Sequence, residues 1–285
     1  MRLKRKKIYP YTGLLFILPS LAGVSVFVLI PFADVVRRSF LEAVSEQWVG
    51  LKNYMAVFQN PAFQLAAVNT LRFIGVCMPL LILLSLLISV FLHKQLKYGY
   101  FLKMAYLIPM AIPVASVVLL WQILFHEQGM LNGLLAMIGI SPIDWMQSEY
   151  AFGVLVFSYI WKNVGYDIVL WMAGLSSIPA DIYEAAKVDG AGEWNIFWKI
   201  TLPNLLPISA VITVLSLLNS FKVFREAYLV AGSYPHESMY LLQHLFNNWY
   251  RELSLDKLTA AAVVMALVIT LFVIWLQKGS EAMDE

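Results

Sequence analysis

Long apolar stretches alternate with short polar ones along the chain, at roughly 13–32, 73–92, 104–125, 151–175, 204–230 and 258–276. Five of the six hold at least eighteen consecutive uncharged residues. That is enough helix to cross a hydrocarbon core of about 30 Å at about 1.5 Å per residue. The fourth is the exception, because "WKNVGYD" sets Lys162 and Asp167 inside it. A segment in hydrocarbon must satisfy its own backbone polar groups, so it spans as a helix or as part of a closed barrel. Barrel strands would be short and alternating, whereas these runs are continuous. The pattern predicts an all-α integral membrane protein with six transmembrane helices.

Composition agrees with that reading. Of 285 residues, 60% are hydrophobic and only 13% charged, and the mean hydropathy is +0.72; the chain is membrane-like, in contact with a lipid bilayer. A net charge of +2, with basic residues gathered at the N-terminus, argues against nucleic acid as a partner. Cys77, alone, excludes an intrachain disulfide framework. "MRLKRKK" precedes an apolar run too long for a signal peptide and without a small-residue cleavage pattern, so it reads as the flank of a retained first span.

Lys and Arg counts set the orientation. With the N-terminus inside, the inner segments hold eleven (Arg2, Lys4, Arg5, Lys6, Lys7, Lys94, Lys97, Lys103, Lys187, Lys199 and Lys278), and the outer ones hold five (Arg37, Arg38, Lys52, Arg251 and Lys257). The expected layout is a cytoplasmic basic N-terminus over 1–12, a six-helix domain over 13–277 and a cytoplasmic tail over 278–285. Prolines 19, 79, 109 and 113 are expected inside spans, as ordinary kinks.

A polar hairpin at 177–203 interrupts the apolar pattern on the cytoplasmic side. Ser177 and Pro179 offer a helix start, Asp181 suits the first turn, and Gly190 can take the positive φ that stops a first helix. A second helix from about Gly192 would put Trp194, Phe197 and Trp198 on one face before Pro203 breaks into the fifth span. An amphipathic connection lying on the membrane surface would account for the aromatic residues alone. Small residues with one carboxylate, Glu184, fit a groove on a cytoplasmic partner instead.

The stretch "EAAKVDGAGEWNIFWKITLP" resembles the EAA motif of the integral membrane subunits of bacterial ABC importers. Glu184, Ala185, Ala186, Asp189, Gly190, Ile200, Leu202 and Pro203 carry the likeness. "DGAG", "AGLSSIP" and "GLKNY" are similar to the carbohydrate branch, the maltose-type and glycerol-phosphate-type permeases. The resemblance implies a type I ABC importer permease fold in which this hairpin is a coupling helix seated on an ATP-binding subunit. It implies a dimer of such ATPases, a second homologous permease forming a heterodimer, and an extracytoplasmic solute-binding protein, in a bacterial cytoplasmic (inner) membrane. ATP and Mg would be bound by the partner ATPase, and no Gly-x4-Gly-Lys-Ser/Thr loop occurs in this chain. The resemblance then implies a transport subunit for a carbohydrate, an oligosaccharide, rather than an enzyme or a cofactor protein.

Mapping the family's pattern puts the substrate pathway near Gly165, Tyr166, Ser216, Asn219, Ser220 and Val223. Polar residues inside spans face a cavity or a partner, and helix gluing remains the alternative at each position. Lys222 and Glu226 are placed to pair at i, i+4; Lys222 and Arg225 could attract an acidic sugar or snorkel at the outer boundary. His93, His126, His236 and His244 form no ligand cluster, so no metal is expected. The chain departs from the family at "VAGSYPHES", where only Gly232 and Pro235 echo the usual Thr-x-Gly-Gly-Pro turn. Three other readings stay open: an ABC permease for a noncarbohydrate solute, an ion-coupled transporter using Lys162, Asp167, Lys222 or Glu226, and a membrane-embedded scaffold or sensor whose hairpin recruits a cytoplasmic protein without transport.

Overall fold

A computed structural model describes residues 10–94 and 99–284. Residues 1–9 of the expected basic segment, Lys97, and Glu285 of the expected tail lie outside them. The described residues are helical almost throughout. Helix α1 (Pro10–Val24) runs through a π turn, Ser25–Leu29, into α2 (Ile30–Arg38). There follow α3 (Lys52–Phe58), α4 (Pro61–Lys94), α5 (Gly99–Ala111), α6 (Val114–Phe125), α7 (Met130–Met137) and α8 (Tyr150–Ser177). The remainder are α9 (Ala180–Val188), α10 (Glu193–Ile196), α11 (Leu202–Ser220), α12 (Phe224–Ala231), α13 (Leu242–Arg251) and α14 (Leu255–Asp284).

Five stretches among the described residues are long and apolar enough to cross a membrane: Phe16–Arg38, Pro61–His93, Val114–Met137, Glu193–Ala231 and Leu255–Gly279. The expected fourth span is α8. It is 28 residues long, or roughly 42 Å, and carries Lys162 and Asp167 within it. The second span begins at Pro61, well before 73, because Arg72 does not end it: its guanidinium lies 4.4 Å from the Phe152 ring centroid.

The expected third span, 104–125, is not one helix. It breaks between α5 and α6 because Pro113 has no N–H to return to Pro109 O, which instead accepts from Ile112 at 3.3 Å. Pro113 is therefore the residue that caps α6, with φ −57° and ψ 144°, and not a kink inside a span. Pro19, Pro79 and Pro109 do lie within helices.

The chain forms two compact units, one from the chain up to Asn60 with Trp249–Ile269, the other from Pro61–Asn248 with Thr270 onward. In the first, "GLKNY" is a clasp. Asn53 Nδ2 donates to Ser39 O (3.0 Å) and Leu41 O (2.8 Å), and Tyr54 Oη meets Ser39 Oγ at 2.7 Å. Gly50 turns the chain at φ +60°. None of the side chains from Phe16 to Arg38 is buried.

The second unit is organised by α8, which packs on α4, α5 and α11. Leu155, Tyr159, Ile168 and Met172 of α8 share one buried cluster with Phe73, Cys77 and Leu81 of α4, Trp121 of α6 and Val223 of the turn before α12. Gly165 makes the closest approach, since a Cβ there would stand 1.8 Å from Tyr106 O on α5. A second cluster joins Leu86, Trp171, Leu175 and Ile178 to Leu205 and Ile212 of α11.

Candidate functional site: a charged cleft and a surface hairpin

Two features of the second unit carry chemistry. The first is an open cleft of about 670 Å³ bounded by α6, α8 and the α11–α12 junction. Its apolar wall is Met110, Val114, Val117 and Trp121. The opposite wall is polar, with Ser158, Tyr159, Lys162 and Asn163 from α8 and Asn219, Lys222, Arg225 and Glu226 from the α11–α12 segment. A short 3-10 turn, Phe221–Val223, tightens the helix there and aims this second group of side chains.

Lys162 Nζ forms an ion pair with Glu226 across the cleft wall, with side-chain exposures of 18% and 6%. The expected Lys222–Glu226 pair does not form. Lys222 turns back to Asn219 Oδ1 at 2.7 Å, while Glu226 takes the cation from the neighbouring helix. Lone charges inside an apolar bundle are costly until they meet, and this is the better-desolvated partner. Pairing accounts for Lys162 and Glu226 and leaves Lys222 and Arg225 without a second carboxylate on the cleft wall. Glu226 Oε2 and Ser158 Oγ, both buried, have no hydrogen-bond partner among the described residues.

Of the expected pathway residues, Asn219 and Val223 line the cleft and the others do not. Gly165 is a packing glycine against α5. Ser216 donates to Asp167 Oδ2 at 2.8 Å, and Tyr159 Oη donates to Ser216 O at 2.8 Å, so these three tie α8 to α11. Ser220 is buried and returns its hydroxyl to Leu217 O. Tyr166 is half-buried beside the packing face. The sequence reading missed Ser158, Trp121 and the Lys162–Glu226 bridge. Two opposite charges each stranded in an apolar run were the available signal.

The second feature is the hairpin. Helix α9 ends in a reverse turn in which Gly190 takes φ +75°, Ala191 N–H donates to Ala186 O at 2.9 Å and Gly190 N–H to Lys187 O at 3.1 Å. Glu184, Ala185, Asp189 and Gly190 are exposed and Ala186 half-buried. Ile200 and Leu202 are half-buried, and Leu202 packs on the second core cluster with Tyr183 and Phe197. Tyr183 Oη meets Thr201 Oγ1 at 3.2 Å and fastens the two arms together.

Pro203 does not break the chain into a new span. A π turn over Phe197–Thr201 widens the helix just ahead of it, with Leu202 N–H reaching Phe197 O, and helix continues from Glu193 to Ala231. The same turn splits the expected aromatic face. Phe197 packs inward, while Trp194 and Trp198 stay exposed, edge to face at 5.6 Å.

The turn at 230–238 ends the helix despite that departure: Gly232 takes φ +74° and its N–H caps Tyr228 O at 2.8 Å. Three histidines have local roles. His126 Nδ1 accepts from Gln128 N–H, His236 Nδ1 from Ser238 N–H, and His244 Nδ1 from Leu241 N–H.

An all-helical bundle with long apolar helices and a charged cleft is the frame of a multi-pass membrane protein. The chain belongs to the family of binding-protein-dependent transport system inner membrane components, which it matches over residues 53–282. It is 30% identical to the trehalose/maltose transport system permease protein MalF of Thermococcus litoralis, covering 94% of this chain and 93% of that one. It is 33% identical to the arabinooligosaccharides transport system permease protein AraP of Bacillus subtilis, covering 79% and 72%. Its fold matches a chain of a bacterial alginate ABC transporter solved in complex with an alginate pentasaccharide-bound periplasmic protein, with a TM-score of 0.81 at 21% identity over 96% and 95% of the two chains. The chain is thus a non-catalytic, multi-pass inner-membrane permease subunit of an ABC importer, and the ion-coupled alternative gives way.

Proposed function

We propose that this subunit forms half of the membrane pathway for an oligosaccharide, with six spans, both termini in the cytoplasm, and the 177–203 hairpin coupling it to an ATP-binding subunit. The observation that carries this reading is mechanical. The hairpin's second arm is one end of the helix Glu193–Ala231, roughly 58 Å long, whose other end supplies Asn219, Lys222, Val223, Arg225 and Glu226 to the cleft. A displacement of the exposed Glu184–Gly190 knob is carried along that rod to the cleft wall. Tyr183, Phe197 and Leu202 give the knob a packed root, so that it moves with the rod.

Carbohydrate as cargo is supported by the sugar permeases among the relatives and by a cleft with dispersed hydrogen-bonding groups. Such a surface binds a polyol weakly enough to release it. In this reading ATP and Mg are bound by a separate ATPase dimer, the second permease is a homologous chain, and an extracytoplasmic binding protein delivers the solute.

Uptake of radiolabelled oligosaccharides by cells with and without this chain tests the proposal. Uptake that requires the chain, stops on ATP depletion and survives a protonophore while ATP is maintained supports it. Chain-dependent uptake that follows the proton gradient instead, or no chain-dependent sugar uptake at all, overturns it.

A further inference from the structure

We infer that the solute is anionic: a sugar carrying a carboxylate, sulfate or phosphate, which Lys222 and Arg225 recognise in the cleft while Glu226 and Ser158 bind its hydroxyls. The inference deepens the carbohydrate reading and rests on it. Lys162, Lys222, Arg225 and Glu226 are the ionisable cations and carboxylate on the cleft wall. Glu226 is committed to Lys162 through Oε1, which leaves two cations on that wall unbalanced. Lys222 Nζ is held over the cleft by a neutral group, Asn219 Oδ1 at 2.7 Å, which orients the ammonium without cancelling its charge. Arg225 stands three residues on, less than one helical turn away, so the two reach the same ligand group. A neutral sugar would gain little from that pair, whereas an anionic group forms charge-assisted hydrogen bonds with both.

The second observation is the pair of unsatisfied buried oxygens. Glu226 Oε2 and Ser158 Oγ, on residues 5% and 4% exposed, lack partners among the described residues while their side chains border the cleft. Buried polar atoms are almost always hydrogen-bonded. An ionised carboxylate oxygen can only accept, so its complement is a donor such as a sugar hydroxyl. The cleft thus combines a cationic end for an acid group with acceptors for hydroxyls.

The test is depletion of a mixed pool by whole cells with and without the chain, read by anion-exchange chromatography. The pool contains maltooligosaccharides as the neutral arm, with oligogalacturonides, sulfated carrageenan oligosaccharides and sugar phosphates as separate anionic arms. Chain-dependent loss confined to one or more anionic arms is the expected result, and the arm that is lost names the acid group. The double variant Lys222→Met/Arg225→Met should slow that loss at least about tenfold, and Lys222→Arg/Arg225→Lys should restore most of it. Immunoblots of isolated membranes check that each variant is inserted. Loss of the neutral arm, or anionic loss indifferent to the double variant, overturns the inference and leaves the carbohydrate reading standing. Loss of no arm overturns both.

Discussion

Removing both members of the Lys162–Glu226 bridge should cost well under the sum of the two single removals. The bridge joins α8 to α12, and its side chains are 18% and 6% exposed. Breaking a buried pair by deleting one partner costs about 3–5 kcal/mol, because the remaining charge is stranded. Lys162 borders the open cleft and can turn toward water, so Glu226→Leu should cost less, about 2 kcal/mol. Glu226 is more deeply buried, and Lys162→Met should cost about 3 kcal/mol. The double variant replaces both charges with apolar groups of similar length and should cost no more than about 2 kcal/mol, giving a coupling of about 3 kcal/mol. Denaturant titration of the purified chain in mild detergent measures all four corners of the cycle. Additive single effects, with coupling below about 0.5 kcal/mol, would refute the bridge as a structural contact.

Other residues give sharper local outcomes. Gly190→Ala forces a Cβ into φ +75° and should destabilise the hairpin by about 1–2 kcal/mol, lowering uptake while leaving membrane insertion intact; equal uptake and insertion would contradict the turn geometry. Gly165→Ala places a Cβ on the Tyr106 carbonyl and should prevent α5 and α8 from packing, seen as loss of folded protein in fluorescence-detected gel filtration. Asn132 holds the loop after α6 by donating to Glu127 O and Ile143 O and accepting from Ile143 N–H and Trp145 Nε1–H, so Asn132→Ala should cost about 2–3 kcal/mol in the same denaturant titration.

Burial lowers His244 to about 4 from the usual histidine range, so the folded form keeps it neutral. Its contribution is present above about pH 6.5 and is lost as pH falls toward 4, because the unfolded chain takes up the proton first. His244→Gln should flatten that part of the stability profile between pH 7 and pH 4.

The helical class and most spans were legible because hydrophobic run length alone decides them. The π turn before Pro203 was not: proline reads as a break, and whether the preceding turn can widen to absorb it depends on the packing of Phe197 and Leu202. The hairpin's glycine was legible because a positive φ leaves a sequence signature. The cleft was only half legible. Residues at helical spacing on one element were easy to group, so Lys222 was paired with Glu226. The true partner, Lys162, is 64 residues away and is found only once α8 and α12 are placed side by side. Ser216 and Gly165 show the same limit, since a small or polar residue in a span reads alike whether it faces a path or a neighbouring helix.

The most direct measurement of the central claim is mass spectrometry of what co-purifies with this chain from its native membrane in mild detergent, repeated with Glu184→Lys. The coupling account predicts an ATP-binding subunit and a second permease with the unmodified chain, and loss of the ATPase alone with the variant. An ATPase retained equally by both, or absent from both while the second permease remains, would contradict the hairpin's role as the coupling element.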